Sequence, residues 1–259
     1  MAATTKHGWA LLLGKIALTL ALIAAAIAVV GTTLARYDVI DKLAGFTGFV
    51  LPLRPLFNLG ELPVNTAMLI IVLALLALVL GWILARRTSK SALLAIVLAG
   101  ALLGTGLWLR GEAAKYPAIH DATTDLANPP AFTALDIPAD NLRGVETEAE
   151  WRKLHAEGYP DLETVTMPGT VAEMIARAEQ LARTKGWTII MSDAEGGHLE
   201  AVAYAGWLRF EDIVSLRVEV AGEDSVTVDM RSISRVGVSD LGYNAKRIRA
   251  FLGELAPTS

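Results

Sequence analysis

Residues 116–132 read YPAIHDATTDLANPPAF, with a histidine, two aspartates, two threonines and a proline pair directly after a long apolar run. Three kinds of chemistry are open to such a set. His120, Asp121 and Asp125 could ligate a metal, but a zinc site wants three or more convergent ligands, commonly including two histidines. The chain has four histidines, His7, His120, His155 and His198, and no spacing requires His198 to join His120. His120 could instead serve Ser232 or Ser234 in a hydrolase triad oriented by an aspartate. No Gly-x-Ser-x-Gly elbow accompanies those serines, and they alternate as strand residues do. The third possibility is structural. Asp121 and Asp125 are acceptors, and Arg209, Arg217, Arg231 and Arg235 are planar, bidentate donors. An extended strap crossing an arginine-bearing sheet face could pair them, with Thr124 and His120 satisfying backbone groups that no strand ladder serves. Pro129 and Pro130 would stiffen its exit and Phe132 would anchor it. This strap reading accounts for more of the residues, so no catalytic residue, metal ligand or cofactor is assigned. Any arginine face left open could hold an anion such as a phospholipid headgroup.

The elements that would position these residues fall into two halves. The chain has 259 residues, 53% of them apolar, too many for an ordinary soluble domain. Most of the excess lies in three nearly uncharged runs at residues 16–34, 66–85 and 91–109. Each is close to the roughly 20 residues a helix needs to cross hydrocarbon. The expected spans are about 10–34, 66–85 and 91–110 within a membrane region 1–112. Trp9, Trp82 and Trp108 stand near run ends, where indoles favour the interface. The first run is longer than a usual signal-peptide core and is read as a retained helix. The tight loop 86–90 carries three positive charges, as many as the whole of residues 35–65. The positive-inside rule therefore places that loop, and the N-terminus with Lys6, in the cytoplasm, and the C-terminal half outside. Residues 41–60 are apolar and aromatic, broken by Pro52 and Pro55; they either lie on the membrane surface or cap the helix bundle. Gly100 and Gly104 form a small-xxx-small pair expected to pack inside the bundle.

From residue 113 the composition becomes mixed polar. Six prolines between 117 and 168 exclude one long helix, leaving a short one near 146–155. Thr170 and Glu173 form a capping box at the start of a helix that Gly186 ends. Strands are expected at about 187–192, 199–210, 213–220 and 225–234, and a last helix at 240–255, with Asp240 capping it and Leu241, Ala245, Ile248, Leu252 and Leu255 on its buried face. This order implies an α+β fold: a four-stranded antiparallel sheet, two helices on one face and the strap. Val202, Tyr204, Leu208, Val214, Leu216, Val218, Val226, Val228 and Met230 are assigned to the helix side. Ala201, Ala203, Ala205, Arg209, Arg217 and Arg231 are assigned to the other. Lys246–Arg249 reads as the wet face of the last helix.

Three stretches resemble domain-of-unknown-function family 1499 (DUF1499). They are Pro117, Ile119, His120, Asp121, Thr124, Asp125, Pro129, Pro130 and Phe132; Arg209, Phe210 and Asp212; and DMRSISRVGVSDLGYNAKRI at residues 229–248, which includes Asn244. The likeness spans about 115–256, and the three-helix region ahead of it is similar to that of some bacterial members. Ile213 stands where the family commonly has a second acid, and Ala122 where a larger apolar residue is common. The family name carries no activity, so the resemblance implies a domain boundary more than a function.

The expected function is that of a membrane-anchored accessory, scaffold or assembly subunit acting by docking. Its setting would be a bacterial inner membrane with the C-terminal domain in the periplasm. The partners expected are the lipid bilayer and another membrane protein, with a phospholipid as a further candidate. The alternative is an envelope domain that binds a lipid or other anion, or hydrolyses, through His120 and nearby aspartates and arginines. A net charge of −4 gives no electrostatic case for nucleic acid, and the absence of cysteine excludes disulfides, thiolate metal sites and a cysteine nucleophile. No Walker loop, dinucleotide fingerprint or zinc-protease motif is present, and the spans lack the acids or histidines that would mark an ion path.

Overall fold

A computed structural model describes residues 2–256, with the side chains of residues 2–7 and 85 excluded, so Lys6 and His7 lie outside the described side chains. The chain divides into two compact units, Met1–Gly111 and Glu112–Ser259.

The first unit contains helices α1 (Ala2–Arg36), α2 (Lys42–Val50), α3 (Thr66–Ala85) and α4 (Lys90–Ala113). A hairpin, β1 (Pro55–Leu59) and β2 (Leu62–Asn65), precedes α3. Three segments are long and apolar enough to cross a membrane: Gly8–Arg36, Thr66–Leu84 and Lys90–Ala113. Their packing is inside out. Small side chains line the interior, among them Ala17, Ala21, Ala74, Ala77, Ala92, Ala95 and Ala99, all fully buried. Large aliphatics such as Leu22, Val72, Leu76 and Val97 point outward. Small residues let helix backbones approach where no hydrophobic force separates inside from outside. Gly100 and Gly104 do not fill the expected role, since a Cβ on either would meet nothing within 4 Å. They lie roughly 105–150° around the helix from the alanine stripe, at about 3.6 residues per turn. Gly106, which shares the stripe's face, packs against Leu53. At the far end of α1, the Lys42 ammonium donates to the carbonyls of Ala35 and Arg36 and pairs with Asp38. Unpaired carbonyls and the negative end of the helix dipole attract such a cation.

The second unit has six strands in one sheet where four were expected. The four long strands are β5 (Thr188–Asp193), β6 (His198–Ala205), β7 (Phe210–Gly222) and β8 (Ser225–Ser234). Two short ones, β3 (Asp121–Thr123) and β4 (Val165–Pro168), share the outer edge of β8, giving the order β3-β8-β7-β6-β5 with β4 beside β3. Three or four residues containing Thr, Asp or Pro show no periodicity; what makes them strands is the unpaired edge of β8, which needs partners. Helix α5 (Glu148–Gly158) is capped by Thr147, and α6 (Val171–Thr184) by the reciprocal Thr170–Glu173 box.

Helix α7 runs Tyr243–Leu255. The Asp240 carboxylate accepts from the N–H groups of Gly242 and Asn244, satisfying donors at its start. Leu241 and Gly242 both adopt positive φ, so Leu241 stands before the helix rather than on its buried face. A Cβ at Gly242 would come within 2.5 Å of the Tyr116 ring, so the turn needs glycine for space as well as for φ. Ala245, Ile248, Phe251, Leu252 and Leu255 bury into the main core, with Phe251 stacked on Trp187.

The assigned faces hold for β7 and β8 but invert for β6. Register pairs Ala201 with Val214 and Val202 with Ile213, so Leu199, Ala201 and Ala203 join the helix-side core. Val202 and Tyr204 point the other way, with Ile213 and Ile233. Both parities of β6 are apolar, so alternation alone could not choose; the helix packed against β6 takes the smaller set.

Candidate functional site

The strap begins as β3. Asp121 and Thr123 face away from the helices, beside Ile233 and Arg231. Arg231 donates through Nε and Nη2 to the two oxygens of Asp121, at 3.0 and 2.7 Å, and Asn141 adds a third donor at 2.7 Å. The Asp121 carbonyl accepts from the Trp151 indole, and the Thr123 N–H donates to His155 Nε2. Burial, the largest influence, pushes the His155 pKa down and keeps the ring neutral, as an acceptor must be.

Thr124 then fills the gap between β3 and β4. Its N–H donates to the Met230 carbonyl, its hydroxyl accepts from the Met230 N–H, and the same hydroxyl donates to Asp229 at 2.7 Å. Thr164 donates to the same Asp229 oxygen. Asp125 closes an Asx turn by accepting from the N–H groups of Ala127 and Asn128. Its second oxygen pairs with Arg217, which also pairs with Asp229 and Glu219. Burial would raise the Asp125 carboxyl; the Asn128 N–H and Arg217 outweigh it and hold it below the ordinary range.

From there the chain crosses the sheet one strand at a time. The Asn128 carbonyl accepts from Arg217, and the Ala131 carbonyl from Ser215, both on β7. On β6, Glu200 accepts from the N–H groups of Thr133, Ala134 and Leu135, from the Thr133 hydroxyl and from His198. Burial alone would raise the Glu200 carboxyl, but the Thr133 N–H, His198 and the other donors hold it low. The geometry is that of a strap, and its charges are spent on internal pairs.

A second polar cluster lies under α7. Asn244, fully buried, donates to the His120 carbonyl and to Ser234, and accepts from Ser232 and Arg247. Arg247 continues to Asp212 at 2.5 Å. Burial, against the pull of Arg247, pushes the Asp212 carboxyl up; burial likewise raises Asp240, against its two backbone donors. The His120 ring is buried and neither nitrogen makes a well-formed hydrogen bond. Burial and nearby Arg143 push its pKa down, against weaker support from Asp121, the Val238 carbonyl and Asn141. A triad of His120 with Ser232 or Ser234 is not assembled, because His120 offers that network only its carbonyl oxygen. Among the described residues, no three His, Cys, Asp or Glu side chains converge as a metal site.

The residues singled out in the sequence thus separate. Asp121 with Arg231, and Thr124 and Asp125 with Arg217, lie on the strap side; His120, Asp240 and Asn244 lie around the start of α7. Arg209 belongs to neither. It sits in the turn after β6 with φ 56° and stacks on Tyr204 at 4.2 Å. Arg235 pairs with Glu211.

A family model described as a protein of unknown function (DUF1499) matches residues 121–255. The chain belongs to the DUF1499 family. No curated protein matches it. The DUF1499 match opens on Asp121, the first residue of β3, and closes on Leu255, the last of α7.

Sequence reasoning missed Glu200, misplaced Arg247, and named Asp212 and Asp229 within the family-like stretches without giving either a partner. Arg247, read as wet, has a side chain only 9% exposed. Its spacing from Asn244 and Phe251, three residues before and four after, was the available signal, since such residues share a helix face. Lys246 instead lies over the Tyr116 and Tyr243 rings, and Arg249 pairs with Asp161.

Proposed function

We propose that this protein is a multi-pass membrane protein that works by docking, as an accessory, scaffold or assembly subunit of a membrane complex. The setting proposed is a bacterial inner membrane with the DUF1499 domain on the periplasmic side. One observation carries the non-catalytic reading: the acids and arginines best suited to chemistry or anion binding are paired with one another beneath the strap. Charges so paired hold shape, which supports docking over binding of a headgroup by those same side chains. The membrane reading is supported by the inside-out packing of the helical unit, and the orientation by the basic residues Arg86, Arg87 and Lys90 in one short loop.

Purification from native membrane in mild detergent, followed by mass spectrometry, tests the proposal. A stoichiometric membrane-protein partner is the expected result. A lone protein carrying bound lipid or metal, or turning over a substrate, would favour the ligand-handling or hydrolytic alternative. The observation favouring that second reading is the buried His120 ring, neither of whose nitrogens makes a well-formed hydrogen bond.

A further inference from the structure

The β1–β2 hairpin has an apolar face that, among the described residues, is covered only at its base. Register places Phe57 opposite Val64 and Leu59 opposite Leu62, so these four side chains share one face, while Asn58 and Pro63 share the other. Val64 is buried, but Phe57, Leu59 and Leu62 are 52%, 70% and 51% exposed. The tip is a turn at Gly60 and Glu61. Between residues 43 and 85 the only charges are Arg54, just before the hairpin, and Glu61 at its tip.

We propose that the hairpin seats this face in the acyl–headgroup boundary of the leaflet where α3 begins, as a lateral anchor for the helical unit. The inference rests on the membrane reading above. The bilayer is the occupant favoured because the face is continuous with the span. Asn65 caps α3 and Thr66 begins it, so the capping residue alone separates the apolar face, which ends at Val64, from the membrane-crossing helix. At about 3.3 Å per residue, the tip can stand no more than roughly 15–20 Å from the start of α3. A hairpin upright in water would expose its aromatic and leucine side chains over that whole length. Laid flat, it buries them in the interface, leaves Asn58 and Glu61 wet, and puts Arg54 level with lipid phosphates.

The chain has no cysteine, so single cysteines report without background. Phe57→Cys and Leu59→Cys, with Val72→Cys in α3 and Glu223→Cys in the β7–β8 turn as references, would be introduced into the full chain. The chain would then be spin-labelled and reconstituted in phosphatidylcholine vesicles containing a minority of phosphatidylglycerol. Collision with oxygen and with a water-soluble nickel chelate reads depth. Labels at 57 and 59 should favour oxygen over nickel several-fold more than the label at 223, approaching the label at 72. If 72 is lipid-protected while 57 and 59 meet nickel as freely as 223, the hairpin stands in water and the proposal fails. Exclusion of both reagents at 57 and 59 would mean that protein covers the face, which also overturns it. Nickel access at 72 would sink the membrane reading itself and this inference with it.

Discussion

Arg231 on β8 grips Asp121 on the edge strand β3 with two parallel hydrogen bonds, at 3.0 and 2.7 Å, with the carboxylate almost wholly buried. The geometry is bidentate, so it fixes orientation as well as charge. It joins the stretch most suggestive of chemistry to the longest strand pair in the domain.

Glu200 fastens the far end of the same strap. Glu200→Ala should free the amides of residues 133–135, which now donate to its carboxylate. Hydrogen bonds to charged groups are worth about 1.5–3 kcal/mol each. Hydrogen exchange at those three amides should accelerate far more than exchange in β7 and β8. Unchanged protection would show that the strap holds without Glu200.

Adjacent arginines on α7 should behave differently. Arg247→Ala leaves Asp212 buried without its cation, a change that typically costs about 3–5 kcal/mol. Arg249→Ala removes a half-exposed pair with Asp161, worth at most about 1 kcal/mol. Urea unfolding of the domain spanning 112–259 would check both. Equal losses would mean that the polar network under α7 is not buried as described.

Removing residues 240–259 should unfold that domain altogether. Ile248, Phe251, Leu252 and Leu255 sit in its main core, and truncating one large core side chain already costs about 2–5 kcal/mol. Domain stabilities are only about 5–15 kcal/mol. A soluble, cooperatively folding 112–239 fragment would contradict this.

Acid should loosen the strap through His155. Its folded pKa is depressed, so the unfolded chain takes up the proton first as pH falls. The stability it contributes is therefore complete above about pH 6.5 and is lost as pH drops towards the folded value. Protonation also destroys the acceptor for the Thr123 N–H. Asp212 and Asp240, with raised carboxyls, act in the opposite sense, so the comparison is between wild type and His155→Gln. The variant should be less stable at neutral pH yet lose less between pH 7 and 5, as followed by thermal melts. Parallel losses in the two proteins would remove His155 from the account.

Local signals in the sequence were the reliable ones. The Thr170–Glu173 box and the three apolar runs depend on near neighbours, and each appears where expected. What could not be read were long-range choices. β3 and β4 are strands only because β8 offers an edge. Alternation could not orient β6, whose two faces are both apolar. The spacing of Asp121, Thr124 and Asp125 announced a polar strap, but its anchor at Glu200 lies 65 to 67 residues from the amides it holds, beyond any local pattern. Gly100 and Gly104 looked like packing residues by motif, yet the alanine stripe of α4 took that role.

Orientation is open to a direct test. Protease applied to the outside of spheroplasts should digest the DUF1499 domain and spare the short basic loop at Arg86 and Arg87. Protection of the domain until the membrane is broken would reverse the assignment.

The most direct measurement of the central claim is a double-mutant cycle on Asp121 and Arg231 in the 112–259 domain, read by urea unfolding. If the pair is architecture, each single alanine variant should lose about 3–5 kcal/mol, because each leaves a buried charge alone. The double variant should lose clearly less than their sum. Wild-type stability in both single variants, with loss of a bound metal or of turnover instead, would contradict the account and make this stretch a site of chemistry.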